Sequence, residues 1–256
     1  MSFQKGEFMN EVFINTEFHE QMVRGTKSMG ITLSDHQLKQ FFQYYVMMIE
    51  TNKVMNLTAI TELSDVVSKH FLDSLALMKV VKDLSQKEYS IIDVGTGAGF
   101  PGIPLKIAFP NLKMTLLDSL NKRVKFLQNV VNQLGLDNIE EIHGRAEDYG
   151  VNIKYREKYD FCVSRAVANL STLSEYCLPF VKVGGMFISY KSGSIEEELN
   201  QAKGAIKLLG SKTQKVVKFS LEEAEAERAF VIIENRERMS VRYPRKAGLP
   251  SKDPLK

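Results

Sequence analysis

Between Ile91 and Pro104 the chain reads I-I-D-V-G-T-G-A-G-F-P-G-I-P, and few folds accommodate such a stretch. A short run of β-formers ends in an acid, then in three glycines at alternate positions, then in residues able to open a helix. A strand that stops at a glycine-rich turn and feeds a helix is a nucleotide-binding turn. Glycine is required there because the turn needs φ > 0 and because a ligand must approach the backbone closely. Pro104 suits the first turn of the following helix, where its missing N–H costs nothing.

The register of the glycines narrows the ligand. Residues 97–102 satisfy the dinucleotide pattern G-x-G-x-x-G, but the strand ends at Val94, so that pattern starts two residues late. The better description is D-x-G-x-G-x-G with Asp93 just before the loop. Class I methyltransferases place such an acid near the cationic end of S-adenosylmethionine, whereas beside a pyrophosphate it is repulsive. A glycine-rich βα turn that binds nothing is the bland alternative.

The 256 residues are 44% hydrophobic and 25% charged, ordinary globular composition that supports one sizeable domain with an appended piece. No apolar run approaches the roughly 18 residues that cross a membrane, and the N-terminus lacks the apolar core of a signal peptide. Two cysteines, Cys162 and Cys177, make no disulfide framework, so a reducing cytoplasm is expected. The four histidines are scattered without metal-ligand spacing, and no metal is expected. Net charge is +3, yet residues 236–256 carry seven basic and two acidic side chains, a local +5 that leaves −2 for the rest. A basic tail on a nearly neutral body points to a polyanionic partner, or else to a solvated terminus.

Residues 1–88 read as a helical extension. Ser34 and Gln37 form a capping box ahead of Leu38, Phe41, Phe42, Tyr45 and Ile49, which fall at helical spacing as a core-facing stripe. Asn56-Leu57-Thr58 ends that helix, and a second is expected over 64–82. Its segment 69–75 (K-H-F-L-D-S-L) is unusually polar, and fits either a half-buried surface or the mouth of a ligand site. From Ser90 strand and helix alternate, the signature of a parallel sheet, with strands expected at 90–94, 113–118, 139–143, 159–164 and 184–190. The helix after the second strand turns Leu120, Val124, Leu127, Val131 and Leu134 to the core and stops at Gly135. A helix over 194–209 precedes two closing strands at 212–219 and 229–235, with the acidic run 222–227 as the turn between them. That pattern is the seven-stranded, mostly parallel sheet of a class I (Rossmann-like) α/β methyltransferase, helices on both faces, last strand antiparallel.

Site residues follow from strand ends. Asp118, ending the second strand about 20 residues past the turn, can accept from ribose hydroxyls or cap the next helix. Lys122 and Arg123 put the wrong sign on that helix's N-terminus, which an anionic ligand or RNA nearby would explain. After the third strand, Gly144-Arg145-Ala146-Glu147-Asp148 sits where class I methyltransferases rest the adenine ring, and Glu147 or Asp148 can supply an acceptor or be an ordinary exposed acid. The fourth strand ends in Ser164-Arg165-Ala166, with no N-P-P-Y-like motif of exocyclic amine methylation. Both cysteines sit as buried structural residues, so the thiolate that cytosine C5 methylation needs is absent. Arg165 is a cation at the carboxyl edge of the sheet, suited to a cofactor carboxylate, a phosphate or a salt bridge. Methylation of a ring nitrogen such as guanine N7 loses no proton and needs chiefly in-line alignment, so no catalytic residue is assigned.

Taken in order, Asn56-Leu57-Thr58, segment 70–75, segment 93–104, Leu117-Asp118-Ser119, Lys122-Arg123, segment 144–147, Ser164-Arg165-Ala166 and Arg245-Lys246-Ala247-Gly248 resemble the RsmG (GidB) family from about residue 30 to the C-terminus. That resemblance implies an S-adenosylmethionine-dependent methyltransferase acting on N7 of one guanosine in 16S ribosomal RNA. It implies cofactor contacts at Gly95, Phe100, Ala146, Glu147 and Arg165, to which the turn adds Gly97 and the end of the second strand adds Asp118. An RNA-facing role falls to Arg123 and to the tail's Arg242, Arg245 and Lys246. The partner is then 16S rRNA or a small-subunit particle, for a cytoplasmic protein expected to be a monomer. Organisation is expected as a helical extension (1–88), a cofactor-binding core (89–237) and a basic tail (238–256) within one domain. Thr51 stands where the family usually has tryptophan, and Leu249 and Asp253 where it often has threonine and a basic residue. An NAD-dependent oxidoreductase and a non-catalytic RNA-binding module on the same fold are the competing readings.

Overall fold

The computed structural model describes residues 16–165, 168–221 and 226–256; the signal-peptide reading of the first residues, Ala166 of the strand-end motif and most of the acidic run (222–225) lie outside them. Seven strands form one sheet: β1 (Ser90–Val94), β2 (Lys113–Asp118), β3 (Ile139–His143), β4 (Tyr159–Arg165), β5 (Val181–Ser192), β6 (Ser211–Leu221) and β7 (Ala226–Asn235). Their order is β3-β2-β1-β4-β5-β7-β6. The first five run parallel, and β7 pairs antiparallel with both β5 and β6.

Alternation along the strands feeds two cores. Ile91, Phe161, Val163, Phe230 and Ile232 face one layer, whereas Ile92, Cys162, Val231 and Ile233 face the other. The first layer is α1 (Thr16–Ser28), α2 (Asp35–Met55), a helical run from 63 to 79, α5 (Gly102–Ala108) and α6 (Asn121–Leu134). The second is α7 (Ala146–Gly150), α8 (Leu170–Cys177) and α9 (Glu196–Leu208), with a short α10 (Leu249–Lys252) near the C-terminus. Both cysteines are buried in this second layer without a disulfide.

The helical extension is knitted into the sheet's own helices. The capping box at Ser34 and Gln37 forms as expected, and Gln37 also donates to the terminal carbonyls of α5, at Ile107 (2.8 Å) and Ala108 (3.1 Å). Gln40 donates to Leu134 at the end of α6 (2.8 Å). Carbonyls that a helix end leaves orphaned are thus satisfied from α2. The buried face of α2 differs from the expected stripe: Leu38, Phe41, Tyr44 and Met48 are fully buried, while Phe42, Tyr45 and Ile49 are half-buried. The reason is α1, whose Phe18 packs edge-on against Phe42 at 5.1 Å and gives α2 a second apolar neighbour.

The expected helix over 64–82 is irregular. It is α3 (Leu63–Val66), a π-helical turn (Val67–Leu72), α4 (Asp73–Leu75) and a 3-10 turn (Ala76–Lys79). π turns accommodate an extra residue and concentrate at functional sites. Leu120, assigned to the core face of α6, is 43% exposed because it occupies the N-cap position ahead of the first helical turn.

The basic tail is strapped across α7 and α8. Met239 is buried, and the Arg156 guanidinium donates to the carbonyls of Gly150, Met239, Ser240 and Tyr243. The Thr172 hydroxyl donates to Pro250 (3.0 Å).

Candidate active site

The loop from Gly95 to Gly102 owes its shape to two acids and to glycines with different duties. Gly95, Gly97 and Gly99 all have positive φ. A Cβ on Gly97 would meet open space, whereas one on Gly99 would stand 2.7 Å from the Tyr44 hydroxyl and one on Gly102 2.3 Å from Leu116. The first glycines therefore open the loop toward a ligand, and the later ones let helices close on it. Asp93 is fully buried, and its Oδ2 accepts from the Thr96 hydroxyl (2.7 Å) and the Gly102 N–H (2.9 Å). Its Oδ1 has no partner among the described residues, and burial pushes the carboxyl up to about 7. Asp93 braces the loop from beneath and is not in the cavity wall. Tyr44, buried on α2, braces it from the helical layer, donating to the Ala98 carbonyl at 2.5 Å.

The loop leaves few donors for a pyrophosphate. The N–H groups of Gly95 and Thr96 donate to Leu117, that of Gly97 to Asp118, those of Gly99 and Phe100 to Thr96, and that of Gly102 to Asp93. An anion cradled at a helix N-terminus needs just those groups.

Above the loop lies an open cavity of about 780 Å³, in the upper part of the range for small-molecule sites, roughly 300–1,000 Å³. Gly95, Gly97, Phe100, Asp118, Arg123 and Arg165 all line it. Asp118 accepts from Gly97 (2.9 Å) and Leu120 (2.8 Å) and stands 3.6 Å from Arg123; each carboxylate oxygen keeps a lone pair for a further donor. The Phe100 ring packs against both His70, stacked at 4.4 Å, and the Arg165 guanidinium, 5.0 Å from its centroid. Ala146 and Glu147 are not in the cavity wall: Glu147 is buried and accepts from Gly248 of the tail (2.7 Å), and Asp148 is exposed. In the tail, Arg242 and Lys246 are exposed, but Arg245 is paired bidentately with the buried Glu175 (2.9 and 2.7 Å). Its guanidinium is held by Glu175 and by the Asp253 carbonyl (2.8 Å), with 19% of the side chain exposed.

Several cavity residues were not named singly as site residues in the sequence reading. Asp73, nearly buried, joins Arg165 (2.8 Å) to Arg228 (3.0 Å), so Arg165 makes the salt bridge that its position left open. His70 touches the Thr58 hydroxyl with Nε2 (2.8 Å) and Arg165 with Nδ1 (3.2 Å). Burial and the Arg165 charge hold its pKa down to about 3, so the ring is neutral. The polar segment 69–75 thus lies at the ligand mouth. Beyond it the cavity runs on past Lys191, Glu198, Phe219 and Arg228. The signal available for Lys191 was its place near a strand end beside Arg165, and for Asp73 its place in the polar segment 69–75; for the pairing of Asp73 with Arg228, 155 residues apart, no local signal exists. No group of His, Cys, Asp and Glu among the described residues has metal-holding geometry.

The glycine loop at β1, the ribose-compatible acid ending β2 and the antiparallel β7 between β5 and β6 define a class I S-adenosylmethionine-dependent methyltransferase. The family model for rRNA small subunit methyltransferase G (GidB) matches residues 37–230, and the chain belongs to that family. It is 50% identical over 233 residues to ribosomal RNA small subunit methyltransferase G of Lachnoclostridium phytofermentans, covering 91% of this chain and 96% of the relative. It is 51% identical over 236 residues to the protein of the same name from Brevibacillus brevis, covering 92% and 98%. Among solved structures, a Galdieria sulphuraria methyltransferase is similar at a TM-score of 0.50 and 14% identity, over 65% of this chain and 85% of its own, a likeness of fold alone.

Proposed function

We propose that the chain transfers the methyl group of S-adenosylmethionine to N7 of one guanosine of 16S rRNA, in the cytoplasm, on naked RNA or on a small-subunit particle. The observation that carries the cofactor is the donor-poor loop, which suits a cationic nucleoside and not a dinucleotide. S-adenosylmethionine supplies a methyl group activated by a sulfonium charge. Asp118 would accept from the ribose hydroxyls, the open face of Gly97 would admit the nucleoside, and Phe100 would close the site beneath His70 and Arg165. With the cofactor bound, the N7 lone pair would take the methyl as its bond to sulfur breaks, and the positive charge would pass to the purine. No proton leaves, so no general base is required. His70 fits this: held neutral and engaged at both nitrogens, it is not poised as a base near pH 7.

The cavity wall carries five cationic side chains (Lys69, Arg123, Arg165, Lys191, Arg228) against three acids (Asp73, Asp118, Glu198). That surplus supports a polyanionic substrate. Ala146 and Glu147, which open the short helix after β3, are kept as cofactor contacts in this reading. Calorimetric titration tests the cofactor assignment: S-adenosylmethionine and its demethylated product bind, and NAD does not. Preferential NAD binding would overturn it.

A further inference from the structure

Lys191 and Glu198 form an ion pair that the cofactor end of the cavity does not use. Lys191 is the penultimate residue of β5, two strands from the glycine loop across β4, a separation of about 10 Å at normal strand spacing. Its ammonium donates to Glu198 Oε1 (2.6 Å) and to the Ala168 carbonyl (2.9 Å). An ammonium has three donors, and among the described residues one remains. Glu198 Oε2 has no hydrogen bond among the described residues. The side chains are 11% and 28% exposed, so the pair is fixed in position while the carboxylate stays reachable. Together they present one donor beside one acceptor on the cavity wall, two strands along the sheet from the cofactor loop.

That order of groups is chemically selective. Guanine offers an O6 acceptor beside the N1–H and N2–H donors, whereas adenine offers a donor beside an acceptor at the corresponding atoms. We infer that the Lys191–Glu198 pair reads the Watson–Crick edge of the target guanine, Lys191 donating to O6 and Glu198 accepting from N1–H and N2–H. The inference rests on the methyltransferase reading above and deepens it. A guanine held by that edge turns its opposite, imidazole edge toward the cofactor loop, which presents N7 to the methyl group. Glu198 also faces the purine as it gains positive charge, so the contact strengthens as the methyl group transfers. The competing acid, Asp73, is spent between two guanidiniums.

The test uses small-subunit RNA carrying either guanosine or inosine at the methylated position. Inosine keeps N7, O6 and N1–H and lacks only the N2 amine. Wild-type enzyme should methylate the inosine RNA with kcat/KM lower by roughly 10–100-fold, the effect of one charge-assisted hydrogen bond. Glu198→Ala should lose a similar factor on guanosine, treat both RNAs almost equally and bind S-adenosylmethionine as wild type does. A merely structural glutamate would penalise both substrates alike, so an unchanged guanosine-to-inosine ratio in Glu198→Ala overturns the assignment, as does a wild type indifferent to inosine. Should Glu198→Ala lose cofactor affinity, Glu198→Gln, which keeps the volume, reads the ratio in its place: a ratio reduced below wild type supports the contact, and an unchanged one overturns it. A wild type that methylates no guanosine at all overturns the function itself, an outcome distinct from a lost ratio.

Discussion

His70 and Asp93 sit about the same glycine loop and respond to acid in opposite senses. The folded pKa of His70 is held down to about 3 from 6.5 by burial and by Arg165. Its contribution to stability is therefore present above pH 6.5 and lost as pH falls toward 3. Burial raises Asp93 from 3.8 to about 7, so its contribution is present below pH 3.8 and lost as pH rises toward 7. Between pH 7 and 4 the two offset, each by on the order of 3 kcal/mol. Denaturant unfolding at a series of pH values separates them. Asp93→Asn should lose stability on acidification more steeply than wild type, and His70→Gln less steeply. Curves parallel to wild type would contradict the assignment. Neither effect was legible in the sequence, where Asp93 was visible as the acid of the motif but its burial was not. The turn glycines were legible by spacing, whereas their division into ligand-facing and packing positions depends on Tyr44, 54 residues upstream of its partner Ala98.

At the scale of elements, the parallel strands were readable because each apolar run stops at a strand-end acid, arginine or glycine. The helical run at 63–79 was not, since a π turn leaves no period that sequence spacing can reveal. The tail shows why charge counts mislead. Arg245 reads as one cation among seven, yet Glu175, fully buried on α8, claims it. Arg245→Ala leaves that carboxylate buried and unpaired and should cost about 3–5 kcal/mol in denaturant unfolding. Arg242→Ala with Lys246→Ala should leave stability within about 0.5 kcal/mol, weaken RNA binding and flatten its salt slope by up to about 2. A salt slope equal to wild type would remove the exposed tail cations from the RNA interface.

For the whole molecule, the order β3-β2-β1-β4-β5-β7-β6 does what no local pattern can. It brings the end of β4, the end of β5 and the start of β7 to one edge, so Arg165, Lys191 and Arg228 meet over a single cavity. The extension closes that cavity from the other side, placing His70 and Asp73 on it. The most direct test of the account supplies the protein and methyl-labelled S-adenosylmethionine to small-subunit RNA, naked and in particles, from cells lacking the modification, and maps the label by cleavage at N7-methylguanosine. The account predicts label at one guanosine of 16S rRNA. Label on another base or on another atom of guanine, or no label in either RNA form from protein that binds the cofactor, would contradict it.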